Sequence, residues 1–392
     1  MKITSLTQLH ANGGWRVLSF LKICTDEGLV GWSEFSESRA TPGLGAVIAR
    51  MGGQLVGQDP RAVGPLTARL RASTRGTAGG IAAQAIAAIE NACIDIKAKA
   101  LGISVAELFG GAVRPRLPLY WSHCGTMRLR HAALFEKAGA APLRTLDDVV
   151  RLGQEVTARG YAALKTNILL FDAAGGRNHQ PGFGDGDPGR VVTARMVDQL
   201  GETMAAFRQG AGPTTGLMLD LNFNVAPEGI RRIAHALGGV GLDWLEMDVA
   251  DVGTLADLRR SCAVPFAGLE TIHGASALLP YLTGRCADVV IIDVQWQGIM
   301  EAMRMAHLAA AHELNVASHN YHGHLSTLMG AHFSAAISNF QIMEFEVDEP
   351  AWLSELLTHP LKIENGELIL PDRPGWGSDI DEAAVRAHAP RG

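Results

Sequence analysis

Leu217-Met218-Leu219-Asp220, Asp243-Trp244-Leu245-Glu246 and Phe266-Ala267-Gly268-Leu269-Glu270 are three short apolar runs, each ending in a carboxylate. The acids lie 26 and 24 residues apart. One strand, one helix and two short connections occupy about that length, so the spacing predicts one acid per βα unit. In a closed βα barrel the C-terminal ends of the strands open on one face, where such folds carry their sites. Three carboxylates from adjacent strands therefore converge, and uncompensated they repel one another. A hard divalent cation resolves that repulsion, and Mg²⁺ suits carboxylates together with water and substrate oxygens.

Outward from this stretch, strand and helix patterns alternate from Leu117 onward. Candidate strands are 117–123, 161–167, 216–221, 242–247, 264–269, 288–293, 315–319 and 340–345. Eight is a number that closes a barrel. Helical patterns follow at 147–159, 227–237, 254–262, 275–282 and 298–314. The second unit is oversized and carries a Gly/Asp/Pro-rich run from Gly175 to Gly189. A loop of that kind inside a compact fold predicts a lid or a binding loop.

Before the barrel the chain reads differently. Residues 1–36 alternate apolar and polar, with Asp26-Glu27-Gly28 as the turn between two strands. From Pro42 to Phe109 the period becomes helical, and Ile86, Ile89, Cys93 and Ile96 share one stripe, with Asn91, Asp95 and Lys99 on the other side. Sheet followed by helices predicts an α+β unit over 1–112, ended by Gly110-Gly111, Pro115 and Pro118. The barrel then spans 113–350, and residues 351–392 fold back over the first unit.

Composition sets the setting. Of 392 residues, 47% are hydrophobic and 19% charged, with a net charge of −6 and no dense basic run, which argues against nucleic acid as a partner. Met1 to Leu6 lacks a signal-peptide core, no 18-residue apolar segment occurs, and the five cysteines are scattered without a CxxC pair. These features predict a cytoplasmic protein with reduced thiols and no membrane partner.

The remaining strand ends carry more polar chemistry. Lys165 and Asn167 close the second strand on one side, near the cation. Asn222, two residues after Asp220, could orient a ligand. Asp293 ends the sixth strand and His319 the seventh. Strand ends in a barrel lie about 5 Å apart. Asp293 could thus hold one ring nitrogen of His319 and leave the other as a base. His322 and His324 follow in the same loop. A zinc cluster there lacks a thiolate or clear ligand spacing, so substrate contact or packing is the better reading. Glu344 and Glu346 on the eighth strand share one side, and the sequence does not choose between them. His123, near the end of the first strand, is a further candidate for substrate contact.

At this point the chain resembles the enolase superfamily, and within it the mandelate racemase subgroup. The likeness spans nearly the whole length, including Ile89-Glu90-Asn91-Ala92-Cys93-Ile94-Asp95-Ile96-Lys97-Ala98-Lys99 and Leu108-Phe109-Gly110-Gly111. It implies a modified (β/α)7β TIM barrel with an N-terminal α+β capping domain completed by the C-terminal segment. It implies Asp220, Glu246 and Glu270 as Mg²⁺ ligands, Asp293 and His319 as a general-base dyad, and Glu344 as a hydrogen-bond donor to a substrate carboxylate. It also implies an even-numbered homo-oligomer, from dimer to octamer. One departure matters: the family's Lys-x-Lys reads Lys165-Thr166-Asn167 here. An asparagine accepts no proton at neutral pH, so one of two opposed bases is missing.

With a single base, abstraction of a proton next to a carboxylate leads naturally to loss of a β-leaving group. The expected activity is Mg²⁺-dependent dehydration of an acid sugar to a 2-keto-3-deoxy acid, with Lys165 stabilising the enediolate. The alternatives are a racemase, epimerase or cycloisomerase using Lys165 as second base, and a non-catalytic ligand-binding relative. Specificity is expected in loops near residues 12–16, 36–46 and 171–190.

Overall fold

The alternating N-terminal pattern folds as a three-stranded antiparallel sheet of β1 (Ile3–Asn12), β2 (Val17–Thr25) and β3 (Val30–Phe35). Gly28, with φ 80°, makes the turn that the Asp-Glu-Gly signal predicts. In the computed structural model, which describes residues 1–181 and 188–390, α1 (Leu44–Gly53) and α3 (Gly80–Leu101) pack on this sheet and α2 (Val63–Ser73) packs on α3.

α3 buries the expected stripe of Ile86, Ile89, Cys93 and Ile96. The other side, polar in sequence, is also buried. Asn91 donates to Val294 O at 3.0 Å and accepts from Ile299 N at 2.9 Å, clamping α3 onto the barrel. Asp95 accepts from Trp32 N at 2.9 Å and Trp376 N at 3.0 Å, tying the C-terminal segment to the capping domain. The polar residues of α3 thus satisfy backbone groups that would otherwise be orphaned between layers.

The barrel strands are β4 (Arg116–Ser122), β5 (Ala163–Thr166), then after a hairpin of β6 (Leu169–Asp172) and β7 (Gly175–Asn178), β8 (Gly216–Asp220), β9 (Trp244–Glu246), β10 (Phe266–Gly268), β11 (Val289–Ile292), β12 (Asn315–Ser318) and β13 (Phe340–Glu346). All eight barrel strands run parallel, and β13 closes on β4 with Glu346 opposite Ser122. Helices follow the first seven strands, and a short 3-10 turn at 351–356 follows the last, which gives a (β/α)7β barrel. Two short strands close the chain's return, β14 (Ile363–Glu364) and β15 (Glu367–Ile369), and β15 adds antiparallel to β4.

The β6–β7 hairpin packs against the short helix 126–130 and the helix 194–211, so the expected long loop begins as ordered structure. The part of that expected lid from Gly182 to Asp187 lies outside the described residues. None of the described helices is long and apolar enough to cross a membrane.

Inside the barrel, Tyr120, Ala163, Met218, Trp244, Ala267, Val289, Ile291, Ala317 and Ile342 form one sealed layer. Large Tyr120 and Trp244, edge to face at 5.8 Å, are accommodated by small Ala163, Ala267 and Ala317. Strand side chains alternate, so the residue two further on points the same way. From this layer that step reaches Ser122, Lys165, Asp220, Glu246, Asp293, His319 and Glu344. The apolar floor therefore fixes which polar residues form the next layer.

Candidate active site

β10 breaks the alternation, because two residues beyond Ala267 stands Leu269 and not an acid. Gly268 (φ 156°) and Leu269 (φ 81°) insert an irregular step that brings Glu270 into the polar layer. A non-glycine residue at positive φ costs about 1–3 kcal/mol and persists only where its surroundings enforce it. His123 (φ 47°) and Asn222 (φ 48°) hold similar conformations at the ends of β4 and β8. Asparagine and histidine tolerate that region better than leucine does, so the strain is concentrated at Leu269.

Lys165 lies at the centre, 2% exposed, with Nζ 2.8 Å from Glu246 Oε1 and 3.0 Å from Glu344 Oε1. Burial disfavours its charge, but Glu246 and Glu344 outweigh burial and keep the ammonium protonated. Glu344 also accepts from Ser122 Oγ and from Asn320 N at 2.8 Å. Burial would neutralise it, yet Lys165 and His319 hold it ionised, well below the usual carboxylate range. In this state Glu344 is an acceptor, whereas the family resemblance implied a hydrogen-bond donor. Lys165, close enough to bind both carboxylates, fixes it in the anionic form.

The three expected ligands all lie on the barrel mouth, each buried. Asp220 accepts from Asn222 N and Nδ2, both at 2.7 Å, and Asn167 Nδ2 reaches it at 3.4 Å. Glu246 sits between Lys165 and Trp244 Nε1, the latter at 3.0 Å. Glu270 Oε2 has no hydrogen bond and lies 3.5 Å from His319 Nε2. Burial pushes Glu246 up to about 7, despite Lys165, and raises Asp220 and Glu270 too. Asp248 joins them, pushed up to about 6 by burial and by Glu246, with one oxygen 3.1 Å from Thr271 Oγ1. Its signal was in the sequence, since it stands two residues beyond Glu246. Buried carboxylates that raise one another's pKa, with one oxygen unpartnered, fit a hard divalent cation better than zinc, which prefers nitrogen and sulfur.

The three acids do not close into one tight group. Among the described residues, the histidine–acid group with ligand atoms mutually within 4.8 Å is Asp293, His319 and His322. These three are bonded to each other. Asp293 Oδ2 accepts from His319 Nδ1 at 2.6 Å and from His322 Nε2 at 2.8 Å, while Trp296 N caps Oδ1 at 2.9 Å. Burial opposes the charge on Asp293, but the two histidines outweigh it and hold the carboxyl well below its usual range. An anionic acceptor on Nδ1 makes Nδ1 the protonated nitrogen of neutral His319 and leaves Nε2 as the basic one. Burial disfavours the His319 cation, yet Glu270, the Asp293 hydrogen bond and Glu344 together push it up to about 10.

His322 was expected to touch substrate, but both its nitrogens are occupied. Nε2 holds Asp293, and Nδ1 pairs with Ser36 Oγ of the capping domain at 3.0 Å. Asn167 and Asn222 are engaged likewise. Asn167 accepts from Thr126 Oγ1 at 2.9 Å and reaches Asn222 Oδ1 at 3.3 Å, so the two amides orient Asp220. Of the four residues expected to contact substrate, His123 retains an uncommitted ring nitrogen: Nδ1 lies 2.9 Å from Glu346 Oε2 and Nε2 has no hydrogen bond to the described residues. His324 is turned away onto Glu349. Both Glu344 and Glu346 face inward, Glu344 toward Lys165 and Glu346 toward His123.

Two capping-domain segments reach the loop that carries His322. Arg16 donates to Tyr321 O, and to His322 O at 2.9 Å. Buried Glu34 accepts from Gly323 N at 2.6 Å and Ser326 N at 3.0 Å, capping the start of helix 324–336. Sequence pattern could not reveal these contacts, because they join residues about 300 positions apart.

Comparison with known proteins gives the same architecture. The family described as "Enolase C-terminal domain-like" matches residues 148–384, and "Mandelate racemase / muconate lactonizing enzyme, N-terminal domain" matches 11–110. The chain belongs to the mandelate racemase/muconate lactonizing enzyme family of the enolase superfamily. A Burkholderia xenovorans protein provisionally named an L-alanine-DL-glutamate epimerase is 41% identical, with a TM-score of 0.96 over 100% of this chain and 99% of that one. A second structure under that name holds magnesium and fumarate. D-xylonate dehydratase of Haloferax volcanii is 26% identical over 98% of this chain and 88% of its own length. D-galactonate dehydratase of Ralstonia nicotianae is 29% identical over 98% and 94%. Within this enolase-superfamily member, then, the strand-end residues described above constitute the candidate active site.

Proposed function

We propose that this member of the family is a Mg²⁺-dependent dehydratase that removes water from an acid sugar to give a 2-keto-3-deoxy acid. The observation that carries the reading is the asymmetry of the site. His319 presents an oriented Nε2, whereas Asn167 replaces the opposing base and Lys165 is locked as a cation between Glu246 and Glu344. Full-length relatives named D-xylonate and D-galactonate dehydratase support the substrate class.

Asp220, Glu246 and Glu270 are the residues that would hold Mg²⁺. When bound, the ion supplies positive charge to the substrate carboxylate and offsets Glu270, which otherwise favours the protonated form of His319. His319 Nε2 takes the α-proton, with Asp293 keeping the ring in the required tautomer and orientation. Lys165 then faces the charge that develops on the carboxylate oxygens, a preorganised stabilisation that is generally the largest catalytic contribution. Asn167 and Asn222 keep Asp220 aimed, and Trp296 packs against the His319 ring with centroids 4.8 Å apart.

A second reading, epimerisation, is favoured by the 41% identical neighbour provisionally named an epimerase. Incubation with Mg²⁺ and D-xylonate, D-galactonate, galactarate or L-alanyl-L-glutamate in D₂O separates the two. Keto-acid formation from a sugar acid is the expected result. Stereo-random α-deuteration of the dipeptide, with no keto acid from any sugar acid, would replace dehydration with epimerisation.

A further inference from the structure

The site contains a second carboxylate–imidazole pair built like the first. β13 lies beside β4 with Glu346 opposite Ser122, so Glu346 adjoins the next residue, His123. His123 Nδ1 is 2.9 Å from Glu346 Oε2 and 3.2 Å from Ser122 Oγ. Its side chain is 15% exposed, and Nε2 has no hydrogen-bond partner among the described residues. Glu346 is buried, and its other oxygen, Oε1, is unpartnered. In both pairs, a carboxylate from the adjacent strand holds Nδ1 and leaves Nε2 free to exchange a proton. Tyr321 stands between the two imidazoles, its ring 5.3 Å from His319 and 6.3 Å from His123.

Resting on the dehydratase reading, we propose that His123 is the general acid that protonates the departing 3-hydroxyl, with Glu346 as the residue that positions it. Hydroxide is too poor a leaving group to depart unprotonated from an enediolate. Lys165 is committed to two carboxylates, and His319 has just accepted the α-proton. In the step itself, the C2–H pair passes into the enediolate as His319 Nε2 takes the proton. The enediolate electrons then form the C2=C3 bond, the C3–O bond breaks with its pair going to oxygen, and that oxygen takes the proton from His123 Nε2. Water and an enol result, and the enol becomes the 2-keto-3-deoxy acid by moving its hydroxyl proton to C3. The proton left on His319 returns through solvent to the His123–Glu346 pair.

The pair carries the extra proton in either arrangement. An imidazolium beside a carboxylate, or an Nε2–H imidazole beside a carboxylic acid, both release it through Nε2. Burial pushes the Glu346 carboxyl up to about 7.

His123→Asn tests the assignment, because asparagine tolerates the left-handed backbone that His123 adopts. Wild type and variant are assayed with Mg²⁺ in D₂O on D-xylonate and D-galactonate, and on their 3-deoxy-3-fluoro analogues, whose fluoride leaves without a proton. Keto-acid formation from the hydroxy substrates should fall by roughly 100-fold or more. α-Deuteration should stay near the wild-type rate, and the fluoro analogues should restore elimination. Glu346→Gln should reduce dehydration less and shift its pH profile. Wild-type dehydration by His123→Asn, or loss of exchange and elimination together with no fluoro rescue, would overturn the assignment while leaving the dehydratase reading intact. A wild type that exchanges the α-proton but never loses water would overturn that reading and this inference with it.

Discussion

Lys165 and His319 illustrate how charge is assigned residue by residue in a dry site. Both are buried, and burial alone would strip each of its proton. Lys165 keeps its charge because two carboxylates lie within 3.0 Å. Removing one partner of a buried ion pair costs about 3–5 kcal/mol, because an uncompensated charge is left behind. Lys165→Met should therefore lower the melting temperature as well as abolish turnover. His319→Asn should abolish turnover and α-proton exchange while the chain still folds and binds Mg²⁺ by calorimetry, although loss of the buried partner of Asp293 should lower the melting temperature. Turnover surviving in His319→Asn would move the base elsewhere. The identities of these groups were legible in sequence from strand spacing, but the anionic state of Glu344 was not. It follows from Lys165 and His319, which approach it only in the closed barrel.

Among the elements, β10 departs most from the sequence expectation. A regular strand would have placed Leu269 in the polar layer and Glu270 outside the barrel wall. Gly268 avoids this because an added Cβ would lie 2.7 Å from Met247 O, a contact no side chain can accept without moving backbone. Gly268→Ala should cost about 1–3 kcal/mol of stability and displace Glu270. Mg²⁺ affinity measured by calorimetry should fall with it, and an unchanged affinity would show that Glu270 does not depend on this kink. The eight strands and the five helical patterns that follow them were legible because each carries an apolar period matched to its geometry. The 169–178 hairpin was not, since its four-residue strands, Leu169–Asp172 and Gly175–Asn178, are too short to show a period.

For the whole molecule, function depends on how the capping domain meets the barrel. Ser36 and Arg16 brace the loop that carries His322, and α3 docks its polar side onto the barrel. Glu90 lies in that interface, 1% exposed, accepting from Met300 N at 2.9 Å and 3.5 Å from Arg71. Burial pushes its carboxyl up to about 7, outweighing Met300 and Arg71. The folded state therefore holds a proton that the unfolded chain has released above about pH 4.5. The stability this contributes is present below that pH and is lost as pH rises through 7. Glu90→Gln, which cannot ionise, should raise the melting temperature at pH 8, by up to about 3 kcal/mol in stability. By pH 5 the gain should disappear. A gain equal at both pH values would place the proton elsewhere.

Local periodicity and the recurrence of acids at strand ends determined the barrel, the capping domain and most of the residues at the mouth, Asp248 excepted. These are properties of contiguous chain, because a strand's alternation and its terminal residue are written within a few positions. Tertiary structure alone decided the other partners those residues take: His322 as a second histidine on Asp293, His123 against Glu346, and Asn167 and Asn222 turned to Asp220. Hydrogen bonds and ionisation depend on distances of a few ångströms between strands far apart in the chain, and only closure of the barrel fixes those distances.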